Sequence, residues 1–296
     1  MMKFTENNRG VEYAKEGWND NLRSVKPPVK NIFYKGNLEL LTSDLPKLAI
    51  VGSRRMTEYG AKVIEKWMRE LVEAGVIIVS GFMYGVDQKA HRECLDNGGK
   101  TIAVLGWGID WQVADNDVEI YEKILETDGL ILSEYEGEDV PELWKFPQRN
   151  RIVAGIVDAV WVVEGAEKSG SMITARLAKQ FGKKLFSLPG SVTSRVAEGT
   201  NNLIKKGEAK MVTRAGDILK EMGMGEGQIS LDYRSQFSDN RYLKDPVLEI
   251  LENEAKSVDE LARILRLPVS EVLIKLSNLS LKGLVGEING KFVSVY

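Results

Sequence analysis

Residues 48–60 read LAIVGSRRMTEYG: a short apolar run ends at a glycine, and a polar turn and the start of a helical stretch follow. The run is too short for a helix and too apolar for a half-exposed strand, so it predicts a parallel strand covered on both faces. Similar runs follow at 76–81, 101–106, 130–135, 159–165 and 184–190. Helical stretches such as 59–74 and 171–181 alternate with them. The alternation predicts an α/β fold, an extended Rossmann-like parallel sheet.

Four segments are predicted along the chain. Residues 1–46 are polar and mixed, and we expect a short, irregular N-terminal cap with one short helix. Residues 47–222 form the Rossmann-like domain. Residues 223–243 are polar, glycine-bearing and without period, which predicts a linker. Residues 244–296 read as three helices and a hairpin around Asn289-Gly290, which predicts a winged-helix domain.

Composition narrows the class of protein. The chain has 296 residues, of which 43% are hydrophobic, so a large core can be buried. No apolar run approaches the roughly 18 residues of a membrane span, and the first residues lack the apolar block of a signal peptide. The single cysteine, Cys94, excludes an intramolecular disulfide and a multi-cysteine zinc site. We therefore expect a cytoplasmic protein without membrane contact, metal or cofactor.

The charge distribution is uneven. The net charge is −3, but residues 145–214 hold 13 Lys and Arg against 5 Asp and Glu. A basic segment in an acidic chain indicates a face that binds an anion, although chance clustering is the alternative.

Two glycine-bounded turns follow the first two predicted strands. Gly52-Ser53-Arg54-Arg55 can offer backbone amides, a hydroxyl and cations to a phosphate at a helix N-terminus, or it can be an ordinary tight turn with solvated arginines. The second turn runs from Gly81 to Gly85. Asp87 and His91 then share one helical face, as an acid–base pair or, as we favour, in a structural role.

Two further clusters are rich in cations and hydroxyls. Residues 145–151 read KFPQRNR, a composition suited to a single strand, with cations for phosphates and a ring for bases. The alternative is that Phe146 packs in the core and the arginines bind helix ends. Residues 168–176 read KSGSMITAR, which is a phosphate cradle or simple helix capping. The order of residues departs from a P-loop, so triphosphate hydrolysis is not supported.

Together the clusters resemble the DNA-processing protein A family (DprA, also called Smf). The matching stretches keep their order through some 140 residues and read AIVGSRRMTEYG at 49–60, VSGFMYGVDQKAH at 79–91, TIAVLG at 101–106, LSEY at 132–135, FPQRNRIVAG at 146–155, VVEGAEKSGSMITARLA at 162–178 and LPG at 188–190. One loop departs from the family pattern: residues 112–116 read QVADN where a Tyr-Pro pair is common.

The resemblance implies a homodimer that binds single-stranded DNA without catalysis, protects incoming strands and loads a RecA-type recombinase onto them in natural transformation. The DNA-binding residues it implies are Ser53, Arg54, Gly81, Gly85, Lys145, Phe146, Arg149, Asn150, Arg151, Ser169, Gly170, Ser171, Thr174 and Gly190.

Two other functions compete with this interpretation. A related Rossmann-like class hydrolyses nucleotide phosphoribosyl bonds, but Gly170-Ser171 here is not followed by the glutamate of that pattern until Glu198. A winged-helix transcription regulator is the other alternative. Residues 245–296 hold 6 basic and 8 acidic residues, and the third helix is mostly apolar, so we expect a protein-contact module there.

Overall fold

The computed structural model describes residues 4–7, 11–14, 25–224, 246–251, 254–281, 285–288 and 290–294. The chain divides into two compact units, 1–233 and 234–296. Apart from its first two residues, the predicted linker at 223–243 lies outside the described residues. None of the described helices combines the length and the hydropathy that a membrane span requires.

The first unit is built on one large sheet. Its strands are β1 Phe4–Asn7, β2 Val11–Ala14, β3 Ile32–Gly36, β4 Lys47–Val51, β5 Ile77–Ser80, β6 Thr101–Leu105, β7 Leu130–Ser133, β8 Ala159–Val162, β9 Lys184–Ser187 and β10 Lys210–Met211. They lie in the order β1-β2-β3-β7-β6-β5-β4-β8-β9-β10. Strands β4 to β10 pair in parallel, and β1 to β3 join antiparallel beside β7. The predicted Rossmann-like sheet is confirmed.

Helices cover both faces of the sheet. They are α1 Glu39–Thr42, α2 Glu58–Glu73, α3 Val86–Asp96, α4 Asp115–Glu126, α5 Lys145–Gly155, α6 Gly170–Gln180, α7 Glu198–Lys205 and α8 Ala215–Glu221. Alternate residues of β4 face opposite layers, as the twofold side-chain period requires. Leu48 and Ile50 pack in the layer that contains α2 and α3, whereas Ala49 and Val51 pack in the layer that contains α5 and α6. Burial on both faces explains why the runs are apolar throughout.

The N-terminal segment differs from the irregular cap that we expected. Three strands extend the sheet there, and only α1 matches the predicted short helix. Gly36 ends β3 at a φ of +90°, and a Cβ at this position would lie 2.2 Å from the Gly129 carbonyl oxygen. Pairing with β2 and β7 therefore determines β3 more than its own composition does, because a strand this short carries little local signal.

The second unit has the winged-helix arrangement that the sequence predicts. Helices α9 Pro246–Leu251, α10 Val258–Leu265 and α11 Val269–Leu281 are followed by β11 Val285–Ile288 and β12 Lys291–Ser294. Ser257 and Glu260 form a capping box at the start of α10, with the Ser257 amide donating to the Glu260 carboxylate at 2.7 Å. Buried side chains from all three helices and from β11 form its core.

Candidate functional site

An open cavity of about 600 Å³ lies at the carboxyl ends of the central strands. Its walls follow β4, β5 and β8. Strand β4 pairs with β5 on one side and β8 on the other, so the direction of strand addition reverses there. In open α/β sheets such a reversal leaves a crevice where ligands bind. We call this space the switch-point cavity.

Most of the residues that the sequence analysis selected line the switch-point cavity. They are Ser53, Arg54, Gly81, Phe146, Arg149, Asn150, Ser169, Gly170, Ser171 and Thr174. They come from segments between residues 53 and 174, which the parallel strands bring to one edge of the sheet.

The turn after β4 presents cations at the mouth of the cavity. The Arg54 guanidinium lies 5.4 Å from the centroid of the Phe146 ring and 5.9 Å from that of the Tyr84 ring. Gly85 supports this turn from below at a φ of +82°, where a Cβ would lie 2.3 Å from the Ser53 carbonyl oxygen. Gly85 therefore acts on the shape of the turn and does not itself line the cavity.

The N-terminus of α6 forms the opposite wall. Ser169 occupies the N-cap position, and its side chain makes no capping hydrogen bond. Its hydroxyl lies 2.7 Å from that of Ser171, and Asn150 Nδ2 donates to the Gly170 carbonyl at 3.3 Å. The Met172 amide donates to the Ser169 carbonyl oxygen at 3.1 Å, whereas the Gly170 and Ser171 amides have no acceptor among the described residues. These two amides are left for an outside acceptor, and the helix dipole favours an anion there.

Arg149 is fully buried beneath the cavity, although its side chain forms part of the wall. Its Nη1 atom donates to the carbonyl oxygens of Gly81 (2.5 Å) and Val104. Asp87 accepts from the Gly81 amide at 3.2 Å and from the Met83 amide at 3.4 Å. Arg149 therefore binds the ends of β5 and β6 together, which combines a structural role with a place in the wall.

Burial raises the pKa of Asp87 and lowers that of Arg149, and the opposite charge of the other residue acts against each shift. Burial raises the pKa of Asp87 to about 6, although the positive charge of Arg149 acts against the rise. Burial lowers the pKa of Arg149 to about 10, and the Asp87 carboxylate partly offsets it. Arg149 remains charged at neutral pH and provides positive potential at the base of the cavity.

Two of the selected cations do not reach the switch-point cavity. Lys145 Nζ lies 2.7 Å from Asp139 Oδ1, and Arg151 Nη2 lies 2.5 Å from Glu134 Oε1. Both basic side chains are buried against these carboxylates, so they stabilise the chain around α5. Gly190 lines a second cavity, beyond the end of β9.

The cavity also contains two cations outside the implied DNA-binding set: Arg55, which the sequence analysis named in the turn after β4, and Arg195, which no motif contained. Arg55 and Arg195 line it, and both are exposed. Arg195 belongs to the short 3-10 segment Arg195–Ala197 that follows β9. It falls within the basic stretch 145–214, which was the one signal in the sequence that pointed to it. Among the described residues, neither arginine forms an ion pair.

His91 lies in the core. Its Nδ1 atom is 2.7 Å from the Thr101 hydroxyl, which itself donates to the Ile78 carbonyl oxygen. Thr101 therefore accepts from His91, and the ring is neutral because burial and the nearby Arg149 lower its pKa to about 3. This matches the structural role that we favoured. Within the described part of the chain, no group of three or more His, Cys, Asp or Glu side chains could hold a metal ion.

A parallel α/β sheet with a cation-lined cavity at its switch point is the architecture of a Rossmann-like protein. The family model described as DNA recombination-mediator protein A matches residues 10–223, and the one described as DprA winged helix domain matches residues 240–291. The chain therefore belongs to the DprA/Smf family.

Individual relatives agree with the family models. The chain is 44% identical over 192 residues to DNA processing protein DprA of Streptococcus pneumoniae, covering 64% of this chain and 66% of that protein. It is 35% identical over 267 residues to Protein Smf of Escherichia coli, covering 88% of this chain and 71% of that protein. The match to Protein Smf of a Synechocystis strain covers 49% of that relative. The chain thus spans less than two thirds of the pneumococcal and cyanobacterial relatives.

Two solved structures share the fold. The X-ray structure of DprA from Streptococcus pneumoniae has a TM-score of 0.63 at 42% identity, covering 68% of this chain and 69% of that one. A structure from Helicobacter pylori has a TM-score of 0.64 at 34% identity, covering 71% and 95%. The Helicobacter pylori structure is described as giving structural insights into the unique single-stranded DNA binding mode of DNA processing protein A.

Proposed function

We propose that the chain binds single-stranded DNA in the switch-point cavity without cutting or modifying it. The observation that carries this proposal is the meeting of three exposed arginines, Arg54, Arg55 and Arg195, with the free N-terminus of α6 in one cavity. Among the described residues none of these arginines is paired with a carboxylate. Exposed, unpaired cations next to helix amides provide several separate sites for successive phosphates.

Each wall of the cavity has a role in this proposal. Ser53 and Arg54 bind one phosphate, and the amides and hydroxyls at Ser169–Ser171, with Thr174, bind another. Phe146, half-buried beneath Arg54, offers a ring edge to a base. Such contacts recognise the backbone and the π-face of a base, so we expect little sequence preference.

The relative from Helicobacter pylori supports the choice of ligand, since it is described by its single-stranded DNA binding mode and is 34% identical to this chain. We propose that this chain also takes part in natural transformation as a homodimer in the cytoplasm, protecting incoming strands and loading a RecA-type recombinase. We further propose domain limits of 223–243 for the linker and 244–296 for the winged helix, with the winged helix as a protein-contact module; the predicted segments 1–46 and 47–222 share one sheet.

The binding test compares single-stranded and double-stranded oligonucleotides by fluorescence anisotropy at several salt concentrations. We expect tighter binding of the single strand, with log K falling at about −0.7 per phosphate neutralised as log salt rises. Arg54→Ala removes a cation from the cavity and should weaken binding. Arg92→Ala is its matched control, because Arg92 is a partly exposed arginine on α3 outside the cavity. Preference for the duplex, or an affinity that salt does not change, would contradict the proposal.

The non-catalytic part of the proposal has its own assay. The protein is incubated with nucleoside monophosphates and with labelled single strands, and the products are separated by chromatography. We expect no release of free base and no strand cleavage. Sustained turnover of either substrate would show that the protein is an enzyme.

A further inference from the structure

A second cavity of about 440 Å³ lies beside the switch-point cavity in the first unit. The two share a wall: Arg195 and Val196 face the switch-point cavity, and Ser194 and Ala197 face the second. On the other side, the segment from Gly52 to Tyr59 contributes its first residues to one cavity and its last to the other. A chain that leaves the switch-point cavity past Arg195 thus meets the second cavity next.

The second cavity differs from the first in charge. Among the described residues that line it there is no lysine or arginine, and Glu164 contributes a buried carboxylate. That carboxylate accepts hydrogen bonds from the Thr57 hydroxyl at 2.5 Å and the Thr57 amide at 2.8 Å. A phosphate is repelled by this fixed negative charge, whereas an uncharged ring is not.

Tyr59 gives the cavity an aromatic wall in a fixed position. Its hydroxyl donates to the Pro189 carbonyl oxygen at 2.9 Å, which joins the first turn of α2 to the loop after β9. The side chain nevertheless remains 48% exposed. A ring that is held at its hydroxyl end and open to solvent is suited to stacking with a flat, uncharged partner.

From these observations we infer that the second cavity is a nucleobase subsite, in which a base of the single strand stacks on Tyr59 while the flanking phosphate stays at Arg195. This inference rests on the proposed function and adds a second contact region to it. It also gives Gly190 a place in the site, since Gly190 lines this cavity and its backbone exchanges hydrogen bonds with Asn201 at 3.0 and 3.1 Å.

The test measures the coupling between one ring and one base. The ligand is the shortest fluorescein-labelled oligothymidylate with full affinity, within about 4–16 nucleotides, and an abasic site is moved along it one position at a time. The proteins are the unaltered full chain, Tyr59→Ala, Tyr59→Phe and Trp144→Ala. Trp144 is the control because it is 54% exposed, similar to Tyr59, but lines neither cavity. It contacts Glu142, Tyr135 and Lys145 instead.

We expect one abasic position to raise the Kd of the unaltered protein by about 5-fold to about 140-fold, the equivalent of a stacking contribution of about 1–3 kcal/mol. The Tyr59→Ala variant should bind the intact oligonucleotide with a Kd raised by a similar factor. An abasic site at that position should then cause no further rise in Kd. Tyr59→Phe keeps the ring, so the abasic site should still raise its Kd. Trp144→Ala should change neither the Kd for the intact oligonucleotide nor the rise in Kd that the abasic site causes.

Two other outcomes would overturn the inference, and one of them would also overturn the proposed function. If the abasic penalties are the same in Tyr59→Ala and in the unaltered protein, the base does not stack on Tyr59 and the inference is overturned while single-strand binding stands. If the unaltered protein binds no single strand at low salt, the proposed function is overturned and the subsite with it. Circular dichroism and thermal melting of each variant separate a loss of fold from a loss of stacking.

Discussion

Replacing Arg149 by alanine should destabilise the fold in a pH-dependent way, because Arg149 is the buried countercharge of Asp87. The variant also deprives the Gly81 and Val104 carbonyls of a donor, a loss of about 1–3 kcal/mol that pH does not alter. Among the described residues Arg149 and Asp87 form no direct ion pair, but each charge acts on the pKa of the other. The cost of leaving Asp87 charged and alone therefore has an upper bound of about 3–5 kcal/mol, which is typical of removing one partner of a buried ion pair. The two figures bracket the expected loss of unfolding free energy at low and high pH.

The sign follows from the pKa of Asp87, which burial raises from 3.8 to about 6 in the folded protein. A carboxyl with a raised folded pKa binds more protons folded than unfolded, so stability falls as pH rises from about 4 to about 6. Arg149 opposes this rise in pKa. Without it the pKa is higher still, and the fall in stability continues above pH 6. We therefore expect a loss of about 1–3 kcal/mol near pH 5 that grows as pH rises to 8, with about 3–5 kcal/mol as its upper bound.

Urea denaturation of both proteins at several pH values measures this difference. Arg149 also lowers the pKa of His91, so the same comparison is repeated in a His91→Gln background to separate the two titrations. Arg54→Ala is the matched control, because Arg54 is exposed and unpaired among the described residues and its loss should change stability by no more than about 0.5 kcal/mol. Asp87→Asn in the Arg149→Ala background should restore much of the stability near pH 8. A loss that is equal at all pH values and unaffected by Asp87→Asn would refute the pairing.

Further predictions concern binding, pH and domain organisation. Arg54→Ala should weaken single-strand binding by about 1–3 kcal/mol in anisotropy titrations without lowering the melting temperature; unchanged affinity would remove Arg54 from the site. His91→Gln should flatten the acid side of the stability profile, because burial and Arg149 lower the folded pKa of His91 to about 3, so stability is otherwise lost as pH falls below about 6.5. An unchanged slope in urea titrations would contradict this. Deleting residues 223–296 should leave single-strand affinity nearly intact, and its loss would favour a role for the winged helix in DNA binding.

The central strands could be predicted from sequence because burial on both faces leaves a strong local pattern. The run at 48–53 covers all of β4 but its first residue, and the run at 159–165 contains β8; the two strands pair directly in the sheet. Strand β3 could not be predicted in the same way. Its residues Phe33 and Tyr34 pair with Ser133 and Leu132 of β7, about a hundred residues further along, and the sequence near β3 contains no sign of that partner.

The candidate site was predictable as a set of motifs but not as a set of side-chain roles. Parallel strands all end at the same edge of the sheet, so glycine-bounded turns after successive strands were expected to converge. Arg195 was missed because it belongs to no turn of this kind and reaches the cavity only through the path of the chain after β9.

What the sequence determined by itself was the α/β order, the winged helix and the presence of cations and hydroxyls after the strands, because these depend on local periodicity and composition. What only the tertiary structure decided was which cations are free. Arg54 and Arg149 have the same chemistry in sequence, yet one is exposed at the mouth of the cavity and the other is buried on carbonyls near Asp87. That difference depends on carboxylates and carbonyls from distant strands, which become neighbours only when the sheet forms.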